Sequence, residues 1–413
     1  MLMHAFRARP DTMKIRMFEN MPWSLRMITY AGILVLLLLV YFGIRYFRSV
    51  KILNLSPAWL FRSLFFMPAI LFLVYPVAGN IHYWIRGSFN HTGYPDMVIY
   101  LYWYGVVCMG VMFNWLLMHD ILRPLAGRFS GMGPQKLKRL FAGIFLVTAG
   151  MTVMYTSVRM IRDTRRIVLD EISYTLPGTN RPVEPLTIVH ISDLHADKYT
   201  GEQKMNRYIK KVNEANPDIV VFAGDLISSG RDHIQAGADA MASIESTHGV
   251  WFVMGDHDYW VGTDLIAEAL EERGIHVLQN ENTVIVHNEL IIKLTGVTEL
   301  YSSQVDAWLL EDLLDEDAGE SLHLIVSHQA SDRLIRETRN SGAHLLLAGH
   351  THGGQIRVPV FFYAVTPARA ESYYVKGNWQ LGDMLLNINS GLGFTLAPVR
   401  YKAPAQVSVI RVQ

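Results

Sequence analysis

Apolar and polar positions follow two different rhythms along this chain. Up to about residue 160 the apolar positions come in long runs: residues 27–44, 63–81, 97–118 and 141–158 carry no charged side chain. A helix needs about 20 apolar residues to cross a bilayer. The runs therefore predict four transmembrane helices, at about 27–46, 63–85, 97–118 and 140–160. Pro68 and Pro76 interrupt the second run, which kinks a helix but is tolerated in lipid. Tyr46, Trp84 and Tyr94, close to run ends, suit an interfacial aromatic belt.

From residue 186 the rhythm shortens. LTIVHISD (186–193), DIVVFAGD (218–225) and GVWFVMGDHD (249–258) read as buried strands ending in polar residues, and SLHLIVSH (321–328) and AHLLLAGH (343–350) as strands ending in histidine. Between them, 202–215 has helical spacing, with Met205, Tyr208, Ile209 and Val212 on one face. Thr263 is placed to cap a further helix. TVIVHNELIIKLTGV (283–297) reads as a hairpin. VPVFFYAV (358–365) reads as a core strand, with a lipid-contacting lip as the alternative. Short strands alternating with helices predict an α/β domain. The organisation expected is a basic tail (1–26), a membrane region (27–160), a linker (161–185) and an α/β domain (186–413).

Composition sharpens this division. The chain has 413 residues and a formal net charge of zero, which argues against a disordered polyelectrolyte and a strongly basic nucleic-acid binder. That zero hides a split: residues 1–166 hold 19 Lys+Arg against 5 Asp+Glu, and residues 167–413 hold 18 against 32. The acidic half repels polyanions, so no nucleic-acid partner is expected. The single cysteine, Cys108, excludes an intrachain disulfide framework and a cysteine-based zinc site. Basic residues flank both ends of the runs almost equally, so charge does not set orientation. The first run lacks the features of a cleavable signal, which favours a cytoplasmic catalytic half in a multi-pass protein of the bacterial inner membrane.

The candidate chemistry sits at the strand ends. Five successive strands finish in Asp193-Leu194-His195, Gly224-Asp225, Gly255-Asp256-His257-Asp258, His328 and Gly349-His350-Thr351-His352. Ligands in open α/β sheets bind beyond the carboxyl ends of strands. Any one of these motifs alone is commonly a turn or a core residue; their conjunction is not. Aspartate and histidine together suit Mn, Fe, Zn or Co. In an extended strand, D-x-H puts both side chains on one face. His190, His233, His248, His276, His287, His323 and His344 fall outside the motifs and read as surface or core residues. Asp258 reads as orienting His257 or capping a turn.

The order HISDLH, FAGDLI, GDHDYW, VSH, GHTHGGQI, with SGLGFTLAPVR at 390–400, resembles the calcineurin-like metallophosphoesterase superfamily and its bacterial membrane-associated branch. The resemblance implies two packed sheets flanked by helices, a four-layer αββα domain, and two divalent metal ions, manganese favoured. Asp193, His195 and His352 would hold one ion, Asp225 would bridge, and Asp256, His328 and His350 would hold the other. His257 would touch phosphate and protonate the leaving oxygen. Two ions about 3.5–4 Å apart clamp a phosphate and supply a hydroxide at neutral pH. The implied activity is hydrolysis of a phosphodiester or pyrophosphate bond, in a lipid head group or another membrane-proximal substrate. One position departs from the family: Asp256 stands where asparagine is usual. A membrane sensor or scaffold that binds a phosphorylated ligand without turnover is the alternative. Oligomeric state is not legible.

Overall fold

The computed structural model describes residues 21–177, 184–315 and 322–413. The expected basic tail falls outside them up to residue 20, as does part of the expected linker. The described chain forms two compact units, one of residues up to Val158 together with Val358–Ala364, the other of Arg159–Arg357 and Val365–Gln413.

The first unit is built on four helices: α1 (Trp23–Leu53), α2 (Ala58–Arg86), α3 (Asp96–Phe129) and α4 (Pro134–Arg165). Each is long and apolar enough to cross a membrane. Pro68 and Pro76 lie inside the continuous α2. Outward residues such as Leu37, Val77 and Val147 are apolar and exposed, as a lipid-facing surface requires. Inward, Val35, Leu39, Phe72, Met112, Leu116 and Phe145 pack together. Small residues permit close approach between the helices; a Cβ on Gly105 would stand 2.6 Å from the Phe72 ring. The Tyr104 hydroxyl meets Ser157 Oγ at 3.0 Å, and His119 Nε2 meets the Phe141 carbonyl oxygen at 3.0 Å. These two contacts align the uncharged stretches of α3 and α4 antiparallel.

The second unit begins in the last two turns of α4, at Arg159. Strand β1 (Ile167–Tyr174) follows, in the stretch expected to be a linker. It is a structural strand because it pairs in parallel along its full length with the C-terminal strand. Next come β2 (Leu186–Ile191), α5 (Glu202–Asn213), β3 (Ile219–Ala223), α6 (Ile234–Ala242) and β4 (Val250–Val253). A short helix α7 (Asp256–Val261), α8 (Thr263–Glu271) and β5 (His276–Leu278) complete the first half. Gly262, not Thr263, occupies the cap position of α8. The second half holds β6 (Glu281–His287), β7 (Leu290–Val297), α9 (Ala307–Leu314), β8 (Leu322–Ser327), α10 (Asp332–Asn340) and β9 (Leu345–Ala348). The hairpin β10 (Val358–Val360) and β11 (Tyr363–Val365) comes next. It lies almost wholly in the first unit, so 358–365 is not the core strand its hydrophobicity predicts. The chain ends with β12 (Gly377–Leu381), β13 (Met384–Ile388) and β14 (Ala405–Val412).

Two six-stranded sheets result, ordered β1-β14-β2-β3-β4-β5 and β12-β13-β9-β8-β7-β6. Strands β2 to β5 run parallel, as do β7, β8, β9 and β13. Their inner faces meet in one apolar core that includes Ile188, Val221, Leu294, Leu324, Leu347 and Ile410. The outer face of the first sheet is covered by α5, α6 and α8, and that of the second by α9 and α10. The layers are therefore α/β/β/α. Parallel strands buried on both faces explain the near-continuous apolar runs. His190 lies in this interior, its Nδ1 2.5 Å from Asn387 Oδ1 across the two sheets.

Candidate metal centre

The strands that carry the predicted site residues end together. Strand β2 stops at Ile191 and β3 at Ala223, so Asp193, His195 and Asp225 lie just beyond the pleat. Their φ values are +51°, +46° and +63°, and those of His350 and His352 are +66° and +50°. The extended D-x-H expected from the sequence is thus a left-handed turn. Non-glycine residues rarely adopt this region, and such strain concentrates at functional sites. Glycines make the close approach possible: a Cβ on Gly255 would stand 2.1 Å from Asp225 Oδ1, and one on Gly349 2.6 Å from Asp193 Oδ2.

All eight predicted site residues converge. Four groups have ligand atoms within 4.8 Å of one another: Asp193, His195 and His352; His195, Asp225 and His257; Asp256, His328 and His350; Asp193, Asp225 and His328. Asp225 Oδ2 lies 3.3 Å from His195 Nε2 and 3.3 Å from His328 Nε2, midway between the two halves of the cluster. Asp256 Oδ1 is 3.1 Å from His328 Nε2 and 3.2 Å from His350 Nδ1. None of the seven histidines set aside in the sequence belongs to these groups.

The donor set fits metal ions. His195 Nε2 and His352 Nε2 stand 2.9 Å apart. Two nitrogens each about 2.0–2.1 Å from one ion at a right angle have about that separation. Asp193 Oδ1 is buried without a hydrogen-bond partner, 3.3 Å from His352 Nε2. The ring orientations are set from behind, as metal-binding imidazoles require. His328 Nδ1 donates to the Ala223 carbonyl at 2.7 Å, which turns Nε2 inward. His257 Nδ1 faces the Ser228 carbonyl at 2.5 Å, leaving its Nε2 free of that bond.

The electrostatics are those of a buried cluster of acids and bases. Burial opposes ionisation of Asp225, but the charges of His328, His257 and His195 outweigh it and hold the carboxyl well below its usual range. Burial likewise opposes a charged His350, yet bonds to Asp256 and Glu371 raise it to about 9. His352 is held well below the ordinary histidine value by burial, and next by the charge of His195. Burial also lowers His257.

Four residues support the site, of which Asp258 alone was given a reading in the sequence. Asp258 is fully buried, and its carboxylate accepts from the backbone N–H groups of Gly255 (2.9 Å), Asp225 (2.9 Å), Leu226 (3.0 Å) and Ile227 (3.3 Å). It clamps the Asp225 loop to the Asp256 loop, which settles its role as structural rather than as a partner of His257. Burial and the charge of Asp225 push its carboxyl up to about 7; the four donors oppose that. Arg400, also fully buried, donates to the carbonyls of Ser390 (2.8 Å), Ala403 (2.9 Å), Gly391 (3.1 Å) and Gly393 (2.7 Å). It braces the 390–393 loop, where the Gly393 N–H donates to the Asp193 carbonyl at 2.7 Å. Gln329 Nε2 reaches Asp256 Oδ1 at 3.2 Å. Trp260 is exposed, its ring 4.4 Å from that of His257. Asp258, Trp260 and Gln329 lie in or beside a strand-end motif, whereas Arg400 lies in the loop between β13 and β14.

A four-layer α/β/β/α domain with such a cluster at its strand ends defines a metal-dependent hydrolase. Residues 186–354 match the family model of the calcineurin-like phosphoesterases. The second unit therefore contains a calcineurin-like phosphoesterase domain, and with relatives that include a named phosphodiesterase this makes it a metal-dependent phosphoester hydrolase. The chain is 26% identical over 280 residues to an uncharacterised metallophosphoesterase of Campylobacter jejuni, covering 67% of this chain and 70% of that protein. It is also 26% identical over 234 residues to the phosphodiesterase YaeI of Escherichia coli, covering 55% and 82%. A transmembrane protein with a metallophosphoesterase domain from Danio rerio is 25% identical, with 54% and 52% covered. The four apolar helices and such transmembrane relatives make this a membrane protein.

Proposed function

We propose that this protein is a membrane-anchored phosphodiesterase or pyrophosphohydrolase acting on a lipid head group or lipid-linked phosphate. Residues 27–160 serve as its membrane region and 186–413 as its catalytic domain, with β1 completing the sheet. The observation that carries the reading is the Asp225 oxygen placed 3.3 Å from a histidine nitrogen on each side, the position of a ligand shared by two ions. Asp193, His195 and His352 would hold one divalent ion, and Asp256, His328 and His350 the other, manganese being the first to test. Such a pair of ions neutralises phosphate charge and lowers the pKa of water at the site.

The chain's own groups do the rest. The carboxylates of Asp193, Asp225 and Asp256 orient and balance the ions. His257, anchored through Nδ1, presents Nε2 to the leaving oxygen and moves a proton to it. Trp260 and Tyr301, both exposed beside site histidines, offer a rim for the substrate's remaining part. Asp256, in place of the family's usual asparagine, adds a negative charge. That charge favours a singly ionised diester over a doubly ionised monoester.

The full chain in nanodiscs, given manganese and bis-p-nitrophenyl phosphate, tests the reading. Hydrolysis that Asp225→Ala and His257→Ala abolish, with two metal ions per wild-type chain by elemental analysis, supports it. Ligand binding without turnover under any metal would leave the sensor reading instead. Comparing lipid extracts of a deletion strain and its parent then identifies the substrate.

A further inference from the structure

The hairpin β10–β11 is an apolar motif that the metal site does not use. Its flanks belong to the second unit, yet Val358–Ala364 belongs to the helical unit. Two features of α3 hold it there. Gly110 leaves room for Val358, since a Cβ on that glycine would stand 2.8 Å from Val358 Cγ1. Asn114, one turn further on the same face, donates through Nδ2 to the Pro359 carbonyl at 2.7 Å and accepts at Oδ1 from the Phe361 N–H at 2.8 Å. One side-chain amide thus serves both a carbonyl and an N–H of the hairpin, as a neighbouring strand would.

The depth of this seat is readable from the helix. The polar end of the bundle is marked by His119, Asp120 and Arg45, the last two forming an ion pair. Asn114 precedes His119 by five residues and Gly110 by nine. At 1.5 Å per residue they lie about 7–8 Å and about 13–14 Å inside that end. Counting from Asp96, Asn114 is eighteen residues in, or about 27 Å. From either end, the hairpin's seat is within the uncharged band of α3. At that depth, irregular backbone survives only where protein satisfies its polar groups, which is what the Asn114 amide does. The side chains the hairpin turns outward are those a lipid surface accepts: Phe361 is 50%, Phe362 99% and Tyr363 78% exposed.

We infer that the 358–364 hairpin is a re-entrant membrane segment, clipped to α3 by Asn114, with its aromatic tip against lipid acyl chains. The inference rests on the helices crossing the bilayer and is independent of the reaction proposed above. By sequence the hairpin begins six residues after His352, so the loop bearing two candidate ligands is tied directly to a lipid-embedded element.

Site-directed spin labelling of the full chain tests it. With Cys108→Ala as background, a nitroxide is placed at Phe362→Cys and, separately, at Tyr363→Cys. Val147→Cys on the exposed face of α4 is the lipid reference, and Glu289→Cys, exposed in the second unit, is the water reference. In nanodiscs of phosphatidylcholine and phosphatidylglycerol, power saturation is measured with oxygen and with a water-soluble nickel chelate. The expected ratio of oxygen to nickel accessibility at both hairpin sites equals that at Val147 and is several-fold above that at Glu289. A ratio equal to Glu289 at both sites places the hairpin in water and overturns the inference. Low access for both reagents overturns it equally, because the tip is then covered by protein, such as a second copy of the chain. Neither readout requires catalysis.

Discussion

Replacing Asp258 by asparagine changes one atom and should loosen the whole metal centre. The carboxylate accepts four backbone N–H bonds with no side-chain donor involved. Asparagine keeps one carbonyl oxygen, which accepts two bonds, and turns an NH₂ group toward the other two N–H groups. Two buried donors lose their acceptor, at about 1–3 kcal/mol each. Relaxation of the loops recovers part of this, so the expected loss is about 3 kcal/mol, near the lower end of the resulting range. For a domain of this size that is a fall of about 6–12 °C in unfolding temperature. The clamp joins the loops of Asp225 and Asp256, so metal retention falls as well. The assay is tryptophan fluorescence on heating the full chain in nanodiscs at one scan rate, with metal content by elemental analysis. Asp232→Asn, an exposed aspartate, is the control for the charge change. If Asp258→Asn matched that control in both unfolding temperature and metal content, the clamp argument would be refuted.

Arg400→Lys replaces a planar fork that serves five carbonyls, that of His352 among them at 3.4 Å, by a three-donor ammonium, so at least two buried carbonyls lose their partner. We expect about 1–3 kcal/mol lower stability and faster metal loss to a chelator; unchanged chelation kinetics would contradict the bracing role. Asp256→Asn removes a negative charge from the cluster and should raise the monoester-to-diester rate ratio on p-nitrophenyl substrates; an unaltered ratio counts against the charge argument. His323 gives a pH prediction away from the site. Burial first, then the Lys293 charge, lower it to about 3 from 6.5. A base depressed in the folded state contributes stability that is present above pH 6.5 and lost as pH falls toward 3. At pH 5 the loss is about 2 kcal/mol. The wild-type chain should therefore lose about that much more stability than His323→Gln between pH 7.5 and pH 5 in chemical denaturation, and parallel profiles would sink the claim.

Much of this architecture is written locally. Uncharged runs as long as 97–118 have few soluble solutions, because a helix apolar on every face needs lipid or a large core around it. Strands β2, β3, β4, β8 and β9 were visible as short apolar runs because parallel strands bury both faces. The eight candidate residues that converge stood out because side chains suited to metal binding rarely fall at five successive strand ends.

Other features depend on where distant segments meet. The backbone of Asp193, His195, Asp225, His350 and His352 is left-handed rather than extended, since the strands end before these residues and the loops must fold back on one another. Asp258 read as orienting His257 or capping a turn; the structure gives it the second role, extended to four N–H groups brought together by the ends of β3 and β4. The hydrogen bonds of the Arg400 side chain go to carbonyls of loops that fold around it, a role with no residue-level signature. The segment 358–365 is as hydrophobic as a core strand, and hydrophobicity alone does not distinguish a protein interior from lipid. What separates them is the polar partner, Asn114, 244 residues before Val358 and matched to the hairpin only in the folded chain. Sequence by itself determined which residues are apolar and which are candidates for the chemistry. Tertiary structure decided what each faces, because hydrogen bonds and burial are set by neighbours in space rather than along the chain.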